Sequence, residues 1–326
     1  MKADILKMLR ESDGYVSGQE LCEKLGVSRT AVWKAVNGLK EKGYQVEAVR
    51  NRGYRIIESP DILTKEELSS MIDTAWAGQT IYYFDQIDST NIRAKQLGEE
   101  GAPHGTLIVA GQQNAGRGRR GRTWESPPGV SIYMSIVLRP EMAPVKAPML
   151  TLVMALSAAD SLKECTGLDV QIKWPNDIVL NGKKLAGILT EMSTEMDYIN
   201  HVVIGVGINV NTERLPEELK EKATSLRLET GRIIRRSEII ASIMKEFEKN
   251  YQLFIETQGL GQMQEKYNSL LINREKEVRI LGVKEGYAAY ALGINEKGEL
   301  LVRRDNGEIE AVLAGEVSVR GVYGYV

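Results

Sequence analysis

The 326-residue sequence predicts an α+β fold in three units: a helical module closed by a β-hairpin, a mixed α/β centre and a small all-β end. Three observations carry this. Apolar residues recur at helical spacing through the first forty residues and then give way to two short β runs. In the middle, strands and helices intermingle without the regular alternation of a doubly wound sheet. Beyond about Asn273 only short strands and turns remain. These changes of pattern set expected domains at 1–60, 64–272 and 273–326.

Ile5, Leu6, Met8 and Leu9 form a helical stripe that closes at Asp13-Gly14. Ser17-Gly-Gln-Glu20 reads as a capping box, with Glu20 reaching back, for a short helix ended by Gly26. Ser28 caps a third helix running to about Lys42, with Val32, Val36 and Leu39 inward and Gly43 as its stop. Two β runs, Tyr44 to Val49 and Tyr54 to Ile57, are joined by the turn Asn51-Arg52-Gly53. This is the outline of a winged helix-turn-helix. The segment holds eleven Lys/Arg against eight Asp/Glu, a net +3, and leaves −5 on the other residues. Ser28, Arg29, Thr30, Trp33, Lys34 and Asn37 at the third helix suit a major groove, and Arg50, Arg52 and Arg55 on the hairpin suit phosphates. A solvated charged face, or a protein-docking winged helix, is the plainer alternative.

A linker near Ser59-Pro60 leads to a helix over 64–72. Strands follow at 81–84, 106–110, 131–138, 178–180, 185–190 and 202–210, with helices near 90–98, 146–166 and 237–257. Asn181-Gly182 between two apolar runs is a hairpin turn. The last unit, with turns at Glu296-Lys-Gly298 and Asp305-Asn-Gly307, reads as a small β-barrel.

Composition narrows the chemistry. At 43% hydrophobic and 26% charged the chain can bury real cores. With 42 Lys+Arg against 44 Asp+Glu it is no bulk-charge polyanion binder, although a local basic patch is compatible. Cys22 and Cys165 lack metal or disulfide spacing, and two histidines poorly supply a metal site or a Ser-His-Asp relay. The start MKADILKMLRESDG is charged throughout, unlike a signal peptide, and the most apolar stretch, 147–159, is short for a bilayer. The expected setting is the reducing cytoplasm, with no membrane partner.

Four clusters carry chemistry. Gly116-Arg-Gly-Arg-Arg-Gly-Arg122 matches GxGxxG, but Arg122-Thr-Trp-Glu-Ser-Pro-Pro-Gly129 cannot start the helix that a dinucleotide site needs. Its four arginines on a flexible loop suit an anionic small molecule instead. Lys173-Trp-Pro-Asn-Asp177 places Asn176 and Asp177 at a stiffened corner. Lys184, on a face shared with Ala186 and Ile188, is either a strand-end surface residue or a placed cation. Asp88-Ser-Thr-Asn91 sits at a helix start, where its hydroxyls have capping as their ordinary use. Gly205 and Gly207, on one strand face, leave room either for a flat group such as a nucleobase or for a closely packed helix.

These clusters, in this order and spacing over residues 80–210, closely resemble the biotin–protein ligases, and the winged-helix start extends the likeness to the bacterial bifunctional ligases that also repress the biotin operon. Asn114, Thr123 and Val130-Ser131 depart from the family pattern without touching a motif contact. The resemblance implies a class II synthetase-like central domain and an SH3-like C-terminal domain. It implies that Ser89, Thr90, Asn91 and Gln113 hold biotin, and that Arg117, Gly118 and Arg119 close over its carboxylate and the activated phosphate. Lys184 and Arg119 would be catalytic, with Lys184 at the reacting carboxylate and α-phosphate; Arg117, Lys173, Asn176, Lys184 and Asn209 would place ATP and the adenylate; Asp177 would meet Mg2+ through phosphate. It further implies a biotin carboxyl carrier protein as acceptor, operator DNA as partner, and a homodimer promoted by biotinyl-5'-AMP. Two alternatives stand beside it. Intact Arg117, Arg119, Lys173 and Lys184 disfavour a sensor repressor that has lost catalysis, and the glycine–arginine loop with Lys-Trp-Pro-Asn-Asp disfavours a lipoate ligase.

Overall fold

A computed structural model describes residues 1–195, 198–281, 286–314, 318–321 and 325. The first module is α1 (Lys2–Glu11), α2 (Gly18–Leu25) and α3 (Arg29–Lys40), then β1 (Gln45–Val49) paired with β2 (Gly53–Glu58). Ser17 Oγ accepts from Glu20 N at 3.0 Å and Ser28 Oγ from Ala31 N at 3.2 Å, so both serines cap their helices. Glu20 departs from the expected box: its carboxylate runs forward to Lys24, 3.0 Å away, because an i,i+4 pair competes for it. Asn51 and Gly53 take positive φ at the wing turn. A Cβ on Gly53 would lie 2.0 Å from the Val16 carbonyl, since Val16 and Tyr54 exchange backbone hydrogen bonds there. Ile5, Leu6, Leu21, Val32, Val36 and Leu39 form the module's own core.

The centre comprises α4 (Lys65–Met71), β3 (Ile81–Phe84), α5 (Thr90–Glu99), β4 (Thr106–Ala110), β5 (Ile132–Leu138), α6 (Met149–Thr166), β6 (Gln171–Lys173), β7 (Asp177–Leu180), β8 (Lys183–Glu195) and β9 (Tyr198–Ile208). Then come α7 (Leu226–Thr230), α8 (Arg236–Thr257) and α9 (Gln264–Leu270). The strands make one sheet in the order β3-β4-β5-β9-β8-β7-β6, in which only β3 and β4 run parallel. Alternate residues of β5 and β9 decide the layers. Met134, Ile136, Ile204 and Val206 meet α6 and α8 on one face; Val137 and Val203 meet Ala94 and Leu97 of α5 on the other. Helix α6 is apolar and long enough on composition to cross a bilayer, yet it is buried from Met149 through Ala159 as the central helix of this core.

The Asn181-Gly182 turn has φ of 51° and 74°, as a two-residue hairpin of this type requires. Strands β8 and β9 outrun expectation. Their far ends, including Glu191, Ser193, Glu195, Tyr198 and Asn200, are polar, so pairing rather than hydropathy extends them. Helices α7 and α9 and strand β6 are too short to show a period, and sequence reading missed them. The C-terminal strands β10 (Lys276–Leu281), β11 (Tyr287–Ile294), β12 (Leu300–Arg303), β13 (Ile309–Val312) and β14 (Ser318–Gly321) form an antiparallel sheet in the order β13-β12-β11-β10-β14. Val278, Ala291, Leu300 and Val302 of this sheet join the central apolar cluster.

The expected linker is pinned rather than loose. Glu67 of α4, fully buried, accepts from Arg10 Nη2 at 2.8 and 2.7 Å and from Ser237 Oγ at 3.0 Å. The Tyr44 phenol also donates to it, and burial with this hydrogen bond pushes that phenol's pKa up, so it stays a donor. Asp61 binds the Arg236 guanidinium at 2.9 Å and accepts from Asn211 Nδ2 at 2.7 Å. A carboxylate this buried is held by its partners, and removing it strands part-buried arginines. Glu67→Ala is expected to destabilise the protein by about 3 kcal/mol, with Glu67→Gln costing less. Urea unfolding of both variants checks this; wild-type stability in Glu67→Ala would show that the modules do not rely on this carboxylate.

Candidate active site

On the α5 side of the sheet lies a cleft of about 150 Å³, lined by Ser89, Thr90, Asn91, Gln113, the loop from Arg117 to Trp124, Asn176, Asp177, Lys184, Gly187 and Gly205 to Gly207. The helix start supplies its polar end. Ser89 is the N-cap residue of α5, but its hydroxyl does not cap the helix. Instead the Gln113 side-chain carbonyl takes that place, accepting from Thr90 N at 2.8 Å and Thr90 Oγ1 at 3.1 Å. Gln113 Nε2 in turn donates to Ser126 Oγ at 2.9 Å. Asn91 Nδ2 donates to Glu191 at 2.9 Å, and Asn91 Oδ1 lies 2.7 Å from Ser135 Oγ. Burial would raise the Glu191 pKa, but the Asn91 and Lys95 hydrogen bonds outweigh it and hold the carboxyl below its ordinary value.

The glycines of β9 split the two roles that the sequence left open. A Cβ on Gly205 would stand 1.9 Å from Asn91 Oδ1, so this glycine admits helix α5. A Cβ on Gly207 would stand 2.6 Å from the Trp124 indole, and one on Gly187 would stand 3.1 Å from it. A flat group does lie against the backbone there, and it is the chain's own indole.

The glycine–arginine loop closes on itself. Trp124 N donates to Gly116 O at 2.9 Å and Gly118 N to Arg122 O at 2.7 Å. Between them Arg119–Gly121 forms a short 3-10 turn, with Arg120 and Gly121 at positive φ. Arg119 crosses to Asn176 Oδ1 at 2.9 Å and to the carbonyl of Ala314, in the turn that follows Val312 of the C-terminal sheet, at 2.6 Å. Burial lowers its guanidinium pKa while nearby Asp177 opposes this. Its side chain also walls off a second cavity of about 290 Å³ that shares Arg120, Asn176, Ile188 and Leu189.

Lys184 requires a correction. The β7–β8 register shifts between Ile178 and Val179, so that Ile178 faces Ala186 while Val179 faces Lys184. This bulge breaks the strict alternation and turns Lys184 away from the buried face of Ala186 and Ile188. The Lys184 ammonium instead passes 3.2 Å from where a Gly187 Cβ would be, sits 5.4 Å from the Trp124 ring centre and bonds Asp177 at 2.5 Å. It is a placed cation. Two other expected site residues do not line the cleft. Lys173 is buried with its ammonium on Tyr325, and Asn209 donates to Thr224 O at 3.1 Å, holding the segment after β9.

Residues 83–209 match the biotin/lipoate A/B protein ligase family, residues 2–55 an HTH domain and residues 275–320 the biotin protein ligase C terminal domain. The bifunctional ligase/repressor BirA of Bacillus subtilis (strain 168) is 38% identical over 98% of this chain and 98% of its own length. The chain belongs to the bifunctional ligase/repressor family of biotin–protein ligases. The BirA of Escherichia coli (strain K12) is 34% identical over 94% of this chain and 93% of its own. A biotin protein ligase from Aquifex aeolicus, solved in complex with biotin and ATP, superposes with a TM-score of 0.66 at 33% identity, covering 74% of this chain and 99% of that one.

In this ligase, Ser126, Ser135 and Glu191 complete the polar network and were missed by sequence reasoning. Ser135 had a readable signal, as the lone serine within the apolar run of β5, where a buried polar group demands a partner. The set expected to face DNA is brought together: Arg29, Thr30, Trp33 and Lys34 are exposed along one face of α3, with Asn37 half-buried on the next turn. Ser28 spends its hydroxyl on its cap. Arg52 and Arg55 stand 5.9 and 5.0 Å from the Tyr15 ring centre, which steadies the wing. Gly205→Ala is expected to force Asn91 aside and cost the ligase about 1–3 kcal/mol through overpacking. Thermal unfolding would detect it, and an unchanged Tm would mean that α5 moves away freely.

Proposed function

We propose that this ligase activates biotin with ATP to biotinyl-5'-AMP, transfers the biotinyl group to a lysine of the biotin carboxyl carrier protein, and represses the biotin operon while the adenylate is bound. The observation that carries the reading is one continuous cleft. It runs from the neutral amide and hydroxyl groups of Ser89, Thr90, Asn91 and Gln113 to the cations of Arg117, Arg119 and Lys184.

The neutral end suits the ring system of biotin, whose ureido group both donates and accepts hydrogen bonds. The cationic end suits its carboxylate. When a carboxylate oxygen attacks the α-phosphorus and pyrophosphate leaves, two anions meet, and Lys184 with Arg119 offsets the charge at the point where it develops. Arg117 and Gly118 close the same loop over the product, where excluded water preserves the mixed anhydride. The carrier lysine then attacks the acyl carbon and AMP departs, so no enzyme nucleophile is needed. Asn176, fixed by its bond to Ile188 O at 3.0 Å, places the adenylate beside Arg119. Lys173 and Asn209 serve the same end from outside the cleft, through the corner and the strand they anchor.

Among the described residues no cluster of three or more His, Cys, Asp or Glu is arranged to hold a metal ion. Magnesium fits nonetheless, because an ion carried on ATP phosphates needs only a single carboxylate, and Asp177 stands at that mouth. When bound it would screen phosphate charge. A homodimer promoted by the adenylate belongs to the reading. Strand β8 runs on to Glu195 past its last pairing with β7, at Gly187, and carries exposed Met192, so it offers an open edge to a second copy. Dimerisation doubles the phosphate contacts of α3 and the wing. The reducing cytoplasm is where carrier and operator are both met.

Pyrophosphate exchange with ATP, Mg2+ and biotin, with lipoate in parallel, tests the ligase half; gel shifts with and without biotin and ATP test the repressor half. Exchange with neither acid alongside biotin-dependent DNA binding would make the chain a sensor repressor. Lys184→Ala should lower adenylation on the order of 100- to 1000-fold with the fold intact, the usual loss when one stabilising charge is removed. Near-normal pyrophosphate release would return Lys184 to a surface role. Arg119→Gly should open the wall between the two cavities and release adenylate into solution, giving biotin on lysines of bystander proteins. Labelling confined to the carrier would refute that retention role.

A further inference from the structure

Lys173 and Asp177 stand directly opposite each other where β6 pairs with β7. Opposite charges so placed on one sheet face ordinarily meet. Here a third residue comes between them. Asp177 gives one oxygen to Lys184 and the other to the phenol of Tyr325, four residues beyond the end of β14. Lys173, only 4% exposed, donates to the Tyr325 carbonyl, and its ammonium lies 3.4 Å from the centre of the Tyr325 ring. A buried ammonium needs partners, and a ring face with a carbonyl supplies neutral ones.

We propose that Tyr325 is a positioning residue for the nucleotide end of the site, holding Lys173 on its ring and carbonyl and Asp177 on its phenol, so that Asp177 remains the partner of Lys184. The assignment rests on the reading of Lys184 and Asp177 as the groups that meet the ATP phosphates. Without the ring, the carboxylate directly across the strand pair is open to Lys173. A Lys173–Asp177 pair would draw Asp177 off Lys184, and the cation that faces the cleft would lose its anchor. Tyr325 acts through both neighbours and does not itself line the cleft. The hydrogen bonds described for Thr90, Asn91 and Gln113 run to one another and to Ser126, Ser135, Leu189 and Glu191, apart from Tyr325. The effect is therefore specific to one of the two substrates.

The test uses the full chain carrying Tyr325→Ala or Tyr325→Phe. Three quantities are read: ATP affinity by calorimetry, the KM for ATP against kcat in biotin-dependent pyrophosphate exchange, and biotin affinity by calorimetry. Tyr325→Ala should weaken ATP binding and raise its KM roughly five- to tenfold, the scale of one lost cation–ring contact, with biotin affinity unchanged. Tyr325→Phe keeps the ring and the carbonyl, so it should restore ATP affinity most of the way while kcat stays reduced by the loss of the phenol on Asp177. Wild-type ATP affinity and KM in Tyr325→Ala would overturn the proposal. Equal losses for ATP and biotin together with a lowered Tm would overturn it as well, by making Tyr325 a packing residue. A wild-type protein that binds ATP but exchanges no pyrophosphate would sink the ligase reading instead, and the assignment of Tyr325 would still be judged on ATP affinity.

Discussion

The floor of the candidate cleft is set by three sheet positions that have no side chain. Gly187, Gly205 and Gly207 let Asn91 and the Trp124 indole lie directly on the strands, closer than any Cβ permits. The Asn91 side of the polar network and the placement of Lys184 build on that contact. Asn91, lowered onto β9, reaches Ser135 and Glu191, and Trp124, lowered onto Gly207 and Gly187, leaves Lys184 room to pass overhead. The opposite face of the same strands carries Ile188, Ile204, Val206 and Ile208 into the core. One strand thus alternates between packing and recognition with a period of two residues, and the glycines cost it nothing in core volume.

Charge is distributed with similar economy. A chain of net charge −2 concentrates arginines 117, 119, 120 and 122 with Lys184 around a single aspartate at the end of the cleft. Arg119 is half-buried, while Arg117, Arg120 and Arg122 remain exposed, so the cations are gathered at the mouth of the cleft in advance of any anion. The positive field is created by local placement; bulk composition gives no sign of it.

Much of this was legible in the sequence because its signals are local. Serine caps, glycine stops, the Asn181-Gly182 turn and the corner at Lys173-Trp-Pro-Asn-Asp177 depend on a few neighbouring residues, and the helices and core strands follow from hydrophobic period. What escaped depends on partners far along the chain or on register. The bulge that turns Lys184 toward Gly187 leaves no trace in the pattern of β8, where alternation reads as unbroken. Ser135 finds Asn91 from 44 residues away, Glu67 finds Arg10 from 57, and Tyr325 finds Asp177 from 148. The far halves of β8 and β9 are polar and are strands only because they have each other. For Gly205 the helix-packing reading holds, whereas at Gly207 the space read from sequence as open to a flat group such as a nucleobase is taken by the chain's own Trp124 indole.

Buried Glu67 and half-buried Asp61 also have a geometric consequence. They fasten α1 and the segment before α4 to α8 and to Asn211, just beyond the strand that floors the cleft. The reading head α3 is therefore carried on a rigid arm. In the proposed dimer, the distance and angle between the two reading heads would be fixed by how the ligase halves meet, and the catalytic body would be the ruler for the spacing of the DNA half-sites.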